Sequence, residues 1–320
     1  CATSSTCSPS ADAGTTVRIR AATRGSALAR WQADRVAALL VDAHPDLAGD
    51  LEVVPVVVET TGDRDRTTPL EQMGGQGVFV KEVQAAVLDG RADLAVHSAK
   101  DLPAATADGL VLAAVPERAD PRDALVGCRW ADLPEGATVA TGYIRRRAHL
   151  AYLRPDLAFQ GLRGNIGTRL EKAAEFDAIV MAAAALDRLG LVPDVVDLLD
   201  PDVLLPQVGQ GALAIECRAD DEATLDMLVA VEHAASRCRV DAERAFLDEL
   251  GAGCDLPVAA HAVLDGDNPE GELVLAGAVS SGDGSTLLRD ERRGTDGVAL
   301  GRAVARHLLD DRGGVALLGR

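Results

Sequence analysis

The sequence predicts an α/β protein that ends in a small α+β unit, and three observations carry that expectation. From Val17 onward, short apolar or β-branched runs alternate with segments of helical period, the pattern of βαβ units over a mostly parallel sheet. At 320 residues the chain is long enough for two or three domains, each with its own core. Past about residue 231 the alternation gives way to one long helix, strand-like runs and a last helix, which read as a separate unit. Apolar residues make up 48% of the chain, which excludes wholesale disorder, and aromatics only 2%, so the cores must be built from Ala, Val and Leu.

Residues 1–16 form a Ser/Thr/Ala-rich tail with too little apolar surface to pack. Residues 17–22 read as the first strand. Ser26 can cap the helix that follows, whose apolar positions include Leu28, Trp31, Val36, Leu39 and Leu40 and which ends before His44-Pro45. Residues 51–58, apolar and β-branched, are a second strand. The stretch from Glu59 to Gly77 is rich in Thr, Gly and charge, and a loop of that length inside a compact domain is a functional lid or is disordered. An amphipathic helix over 79–88 stops at Gly90, and a strand follows over 92–97. The alternation continues with strands at 138–141, 158–162 and 178–181 and helices at 144–152 and 165–174. Leu205-Pro206-Gln207-Val208-Gly209-Gln210-Gly211 punctuates the chain before a strand over 212–217. A helix over 231–250, strands near 257–263 and 272–279 and a helix over 298–309 complete it.

The net charge of −18 argues against nucleic acid as a partner and makes local clusters of arginine conspicuous. Arg145-Arg146-Arg147 is the clearest, read equally well as a solvated helix face or an anion site. There are only three lysines, Lys81, Lys100 and Lys172. No apolar run approaches the roughly 20 residues of a membrane span, since the run over 178–186 stops at Asp187, so a soluble, cytoplasmic protein is expected. Six cysteines without a CxxC pair or a His/Cys metal spacing suggest neither a disulfide framework nor a metal site, and Cys128, Cys217 and Cys238 read as small core or near-surface residues. The start Cys1-Ala2-Thr3-Ser4-Ser5 is like that of a mature bacterial lipoprotein or a fragment boundary. The second is favoured, because no initiator methionine or signal segment precedes it.

Three short stretches carry the functional argument. Cys254 lies in Leu250-Gly251-Ala252-Gly253-Cys254-Asp255-Leu256-Pro257, where small residues let a ligand approach the thiol and proline stiffens the exit. Taken alone, this is more often a buried structural cysteine. The second stretch is Ala95-Val96-His97-Ser98-Ala99-Lys100-Asp101-Leu102-Pro103. The third is Leu162-Arg163-Gly164-Asn165-Ile166-Gly167-Thr168-Arg169-Leu170. In this order and at these separations the three resemble the hydroxymethylbilane synthase, or porphobilinogen deaminase, family, and the resemblance runs from about Val17 to Leu309.

The resemblance implies two domains like those of type II periplasmic binding proteins, with the chain crossing between them twice, plus a small C-terminal α+β domain. The implied division is 17–117 with 209–231, then 118–208, then 232–320. It implies a transferase that deaminates four porphobilinogen molecules and joins them head to tail on a covalent dipyrromethane primer, releasing hydroxymethylbilane and ammonia. Family members are usually monomeric. Cys254 would hold the primer as a thioether, with no metal, nucleotide or flavin. Asp101 matches the catalytic aspartate, a fixed carboxylate for pyrrole N–H groups and for a cationic azafulvene. Arg24, Arg145, Arg146, Arg163 and Arg169 match arginines that bind the acetate and propionate carboxylates of cofactor and substrate, a task for which a planar guanidinium is suited. Ser26, Ser98, Lys100 and Thr141 match positions that bind cofactor side chains. Phe79 matches a residue near the cleft, and a core phenylalanine accounts for it as well.

The sequence departs from the family in a few places. The usual Thr-Ser-Ser or Thr-Gly-Ser loop is Thr141-Gly142-Tyr143 here, which adds a ring beside the cofactor positions. Gln72 and Gln76 replace common lysines, Ala252 a frequent glycine, and Asp255 sets a carboxylate beside the thiol. A bilobal anion-binding protein or lipoprotein without the chemistry, or an impaired relative, is the alternative. The binding protein explains Cys1 and the arginines but not why Asp101 and Cys254 both occur in matching motifs, and the impaired relative is motivated by Tyr143 and the lost lysines.

Overall fold

Two five-stranded sheets of matching strand order and one three-stranded sheet organise the chain. The computed structural model describes residues 16–47, 49–64, 77–251, 256–266 and 268–318. Residues 1–15 of the expected tail, most of the lid stretch with Gln72 and Gln76, and Ala252, Cys254 and Asp255 lie outside the described residues.

The first part of the chain contributes β1 (Val17–Arg24), α1 (Ala27–Ala43), β2 (Leu51–Val58), α2 (Thr61–Arg64), α3 (Lys81–Leu88), β3 (Leu94–Ser98) and β4 (Leu110–Ala114). Ser26 starts α1 as expected, its Oγ accepting from the Ala29 N–H at 3.2 Å. The chain then crosses to a second sheet with β5 (Asp123–Val126), β6 (Thr138–Ala140), α4 (Ile144–Leu153), β7 (Ala158–Gln160), α5 (Ile166–Glu171), β8 (Ala178–Ala182), α6 (Ala183–Arg188) and β9 (Val196–Leu198). It returns through β10 (Leu213–Arg218) and α7 (Glu222–Val229). The C-terminal unit follows as α8 (Ala234–Glu249), β11 (Val258–Leu264), β12 (Leu273–Ser280), β13 (Leu287–Gly294), α9 (Gly297–Arg306) and α10 (Gly314–Leu317).

The first sheet has the order β2-β1-β3-β10-β4, with β2 and β3 parallel to β1 and β10 antiparallel to both β3 and β4. The second has the order β7-β6-β8-β5-β9, with β7 and β8 parallel to β6 and β5 antiparallel to its neighbours. Each sheet is thus mostly parallel by strand direction, and its one reversed strand arrives from across a domain crossing. This is the bilobal topology of type II periplasmic binding proteins, with a small third domain appended. Alternate residues of β1 and β3 serve the two faces of the first sheet. Ile19, Ala21, Leu94 and Val96 pack under α1, and Ala22 and Ala95 pack with Val83 and Val87 of α3.

Several elements escape a periodicity reading. β4, β5, β9, α6 and α7 are short, and β13 (Leu-Leu-Arg-Asp-Glu-Arg-Arg-Gly) is an edge strand whose charges hide the alternation and discourage further pairing. The helix expected over 231–250 begins at Ala234, capped by His233, because α7 and a turn precede it.

One buried carboxylate ties the three parts together. Glu243 of α8 accepts from Arg118 Nη1 and Nη2 at 2.7 and 3.1 Å, from the Gly209 N–H at 2.7 Å and from the Ala262 N–H at 2.9 Å. Arg118 lies in the first crossing and also donates through Nε to the Gln210 carbonyl of the second, at 2.9 Å. Burial alone would raise the Glu243 carboxyl, but Arg118 and His261 hold it down at about 2.

Candidate active site

The predicted site residues gather where strands of the two large sheets end. Arg24 closes β1, Ser26 caps α1, Ser98 closes β3, Thr141 follows β6 and Arg163 follows β7. The region beyond the carboxyl ends of strands is where open α/β sheets bind ligands, because loops and helix N-termini converge there.

After Ser98 the chain makes a 3-10 turn, Ala99–Asp101, held by the Leu102 N–H on the Ala99 carbonyl. The turn packs against the second crossing at Gly209, whose φ of +70° strains any other residue and where a Cβ would stand 3.0 Å from the Ala99 carbonyl carbon. Lys100 Nζ donates to Gln210 Oε1 at 3.4 Å. Burial, and then Arg146, push its ammonium down to about 8 against the pull of Asp101 and Asp123, although the residue keeps some exposure, so water tempers the effect. Asp101 is partly exposed, and among the described residues its carboxylate accepts no hydrogen bond.

The arginine triplet opens α4, and two of its members are core residues. Arg145 and Arg146 are 3% and 1% exposed, which sets aside the solvated-face reading for both. Both engage Asp123, a wholly buried residue of β5: Arg145 Nη2 at 2.7 Å, Arg146 Nε at 3.0 Å and Nη2 at 2.7 Å, with Gln210 Nε2 adding a fourth bond at 3.0 Å. Burial favours the neutral Asp123, but the two guanidiniums hold it ionised, with a pKa of about 2. Arg145 Nη1 also donates to the Leu205 carbonyl at 2.6 Å, while its buried Nε has no acceptor among the described residues.

A pocket beside this cluster is lined by Lys100 and Leu102 from the first sheet's turn, Tyr143 and Arg145 from α4, and Leu247, Leu256 and Val258 from the C-terminal unit. Gln207 and Val208 of the second crossing close it. Cys254 lies outside the described residues, and Leu256, two positions on, is in the pocket wall. Tyr143, the departure from the family loop, sits among cations: its ring centroid is 4.9 Å from Arg146 Cζ, 5.8 Å from Lys100 Nζ and 5.9 Å from Arg169 Cζ. Arg169 Nε donates to the Gly164 carbonyl at 2.9 Å. Arg163 is partly buried.

The remaining predicted residues each have a partner within the chain. Arg24 is held by Asp63 of α2 at 2.5 and 3.1 Å and stacks over the Phe79 ring at 4.1 Å. Ser98 Oγ accepts from Gln32 Nε2 at 2.7 Å, Ser26 Oγ is spent on the helix cap, and Thr141 Oγ1 accepts from the Tyr143 N–H at 3.4 Å.

Sequence reasoning passed over Asp123, Gln210, Asp63 and Arg188. Asp123 and Gln210 sit in polar, turn-rich stretches where an aspartate or glutamine is unremarked, and only the fold brings them onto the arginines. Arg188 ends α6, donates to the Gly211 carbonyl at 2.6 Å and lies 5.6 Å from the Trp31 ring of α1. Burial lowers it to about 10, and nothing in its local spacing signals that contact.

The family profile described as "Porphobilinogen deaminase, dipyromethane cofactor binding domain" matches residues 19–226. The profile "Porphobilinogen deaminase, C-terminal domain" matches residues 237–310. The chain belongs to the porphobilinogen deaminase family. It is therefore a transferase of tetrapyrrole assembly, and its larger family domain is the one that binds dipyrromethane.

Among solved structures, the chain is 16% identical to the Bordetella pertussis BvgS periplasmic domain, covering 67% of this chain and 39% of that one at a TM-score of 0.36. A TRAP periplasmic solute binding protein from Pseudomonas aeruginosa with bound L-malate is 13% identical, over 71% of this chain and 87% of that one, at 0.39. YhfZ from Shigella flexneri is 18% identical, over 71% and 93%, at 0.33. Likenesses this slight say nothing of chemistry. No helix among the described residues is long and apolar enough to cross a membrane.

The residues present suit the family cofactor. A dipyrromethane bearing acetate and propionate groups needs several carboxylate donors. Lys100, Arg145 and Arg146 surround one internal carboxylate, Asp123, so positive charge is in excess, and Arg145 Nε is a buried donor with no acceptor among the described residues.

Proposed function

We propose that the chain acts as a hydroxymethylbilane synthase, joining four porphobilinogen molecules head to tail with loss of ammonia. The observation that carries this reading is one pocket whose walls bring Lys100 and Arg145 together with Leu256, the described neighbour of Cys254, with Asp101 between the wall residues Lys100 and Leu102 in sequence. When bound, dipyrromethane supplies the primer onto which substrate pyrroles are added, and Cys254 would hold it as a thioether.

Lys100 and Arg145, with Arg146 behind, would bind the acetate and propionate groups through charge-assisted hydrogen bonds; Arg163 and Arg169 from the neighbouring loop and α5 would take those of later units. Arg24, Ser26, Ser98 and Thr141 would complete the polar surround, Arg24 exchanging Asp63 for a ligand carboxylate. Asp101 Oδ would accept a pyrrole N–H and face the positive charge that develops on the ring and its methylene carbon as the C–N bond breaks and the amino group leaves as ammonia. Coupling forms one carbon–carbon bond and frees one ring proton, which the same carboxylate would take up and pass to water. The apolar wall of Leu102, Val208, Leu247 and Val258 would keep bulk water from the cationic centre.

We divide the chain into 17–117 with 209–231, 118–208 and 232–320, the reading under which the crossings 115–122 and 199–212 act as hinges. We take the chain to act as a monomer, the usual state of the family it belongs to. We place the protein in the cytoplasm, as the family's soluble chemistry suggests.

The test is incubation with porphobilinogen, following ammonia and hydroxymethylbilane, together with intact mass and peptide mapping. Turnover, with a dipyrromethane mass located on the Cys254 peptide, is expected. No consumption and an unmodified Cys254 would overturn the reading in favour of an anion-binding protein.

A further inference from the structure

Tyr143 is where this chain departs from its family's loop, and the structure gives the substitution a use. Its residue opens α4 and lines the pocket with Lys100 and Arg145. Three cations from three elements meet at its ring: Lys100 from the turn after β3, Arg146 from α4 and Arg169 from α5, at 5.8, 4.9 and 5.9 Å from the centroid. All three fall within the range in which a cation is attracted to the π-face of an aromatic ring. The phenolic hydroxyl makes no hydrogen bond among the described residues, so the ring and not the oxygen accounts for the contacts.

We propose that Tyr143 is a positioning residue for substrate carboxylates: its ring gathers Lys100 and Arg169 beside Arg146, which Asp123 already fixes, before any anion arrives. The inference rests on the functional reading above and adds a determinant that the small hydroxyl residue usual at this position does not supply. The physical basis is twofold. Lysine and arginine side chains carry large rotamer freedom, and for Lys100 and Arg169 an incoming ligand must otherwise immobilise it at its own expense. Like charges brought together also repel, and the electron-rich ring face lies among them and offsets part of that repulsion.

The experiment uses the full chain and two readouts. The first is calorimetric titration with a pyrrole that bears acetate and propionate groups but no aminomethyl group, so that it binds without reacting. The second is the split between KM and kcat for porphobilinogen. Tyr143→Leu is expected to weaken analogue binding about three- to tenfold and to raise KM alike, with kcat within about twofold of the parent. Tyr143→Phe, which keeps the ring, is expected to match the parent in both. Should the leucine variant not fold, Tyr143→Met removes the ring with a more adaptable side chain. Equal or tighter binding in the ring-less variant would overturn the proposal, as would a phenylalanine variant as weak as the leucine one. If the parent binds the analogue yet never consumes porphobilinogen, the functional reading fails while the titrations still judge Tyr143.

Discussion

Asp101 and Lys100 are neighbours in one 3-10 turn, yet their surroundings suit them to different tasks. Asp101 keeps an open carboxylate next to a cluster of cations, which fits a group that must meet a transient positive charge. Asp101→Asn keeps shape and hydrogen bonding while removing the charge, so turnover is expected to fall by about 100-fold or more, with an unchanged melting curve. Near-parental turnover would remove Asp101 from the role. Lys100 faces Arg145, Arg146, Asp123, Gln210 and Tyr143 as well as Asp101, and its ammonium is held down at about 8. Carboxylate binding is therefore expected to weaken as pH rises through about 8, a step that Lys100→Met should erase from a binding–pH profile. The stability effect of the ligand-free chain runs the other way. The folded chain releases this proton near 8 and the unfolded chain at about 10.4, so the unfolded state holds more protons between the two and the Lys100 contribution grows with pH there. The motif around Lys100 and Asp101 was legible in sequence because a turn is a short-range object. The partner of Arg145 and Arg146 was not, because Asp123 is more than 20 residues away and only the β5–α4 approach makes it theirs.

Among the elements, α1 and α8 show how far local pattern reaches. Ser26 and the apolar face through Val36 and Leu40 mark α1 in the local sequence, and packing on β1 and β3 stabilises it. The path of α8 is decided by contact, because it packs against α9 at a glycine. A Cβ on Gly301 would stand 2.2 Å from the Ala242 carbonyl oxygen and 2.8 Å from the Phe246 N, both backbone atoms that cannot rotate away. Gly301→Ala is accordingly expected to cost about 2 kcal/mol or more, measured by urea unfolding, by forcing the two helices apart. A stability equal to the parent's would mean that the pair slides freely. β13 was illegible for the opposite reason: on an exposed edge, alternation of apolar residues has no core to serve, and charge replaces it.

At the scale of the whole molecule, the Arg118–Glu243 pair joins the first crossing, the second crossing and the C-terminal unit. Both side chains are buried, 3% and 0% exposed, so removing one charge strands the other. Glu243→Gln is expected to destabilise the protein by about 3 kcal/mol. It should also split a single calorimetric transition into two as the C-terminal unit loosens first. One unshifted transition would show that apolar packing alone couples the three parts. Because Gly209 accompanies that carboxylate and also presses on the Lys100 turn, the variant should weaken analogue binding as well.

The sequence by itself determined the family, the alternation of strands and helices and the C-terminal unit, since each is written in a contiguous motif or a short period. Only the tertiary structure decided that β10 enters the first sheet between β3 and β4, that Asp123 fastens the two buried arginines, and that Tyr143 stands among three cations. Those pairings join residues tens to more than a hundred positions apart, and hydrophobic period records which face of an element is buried but not which distant element will bury it.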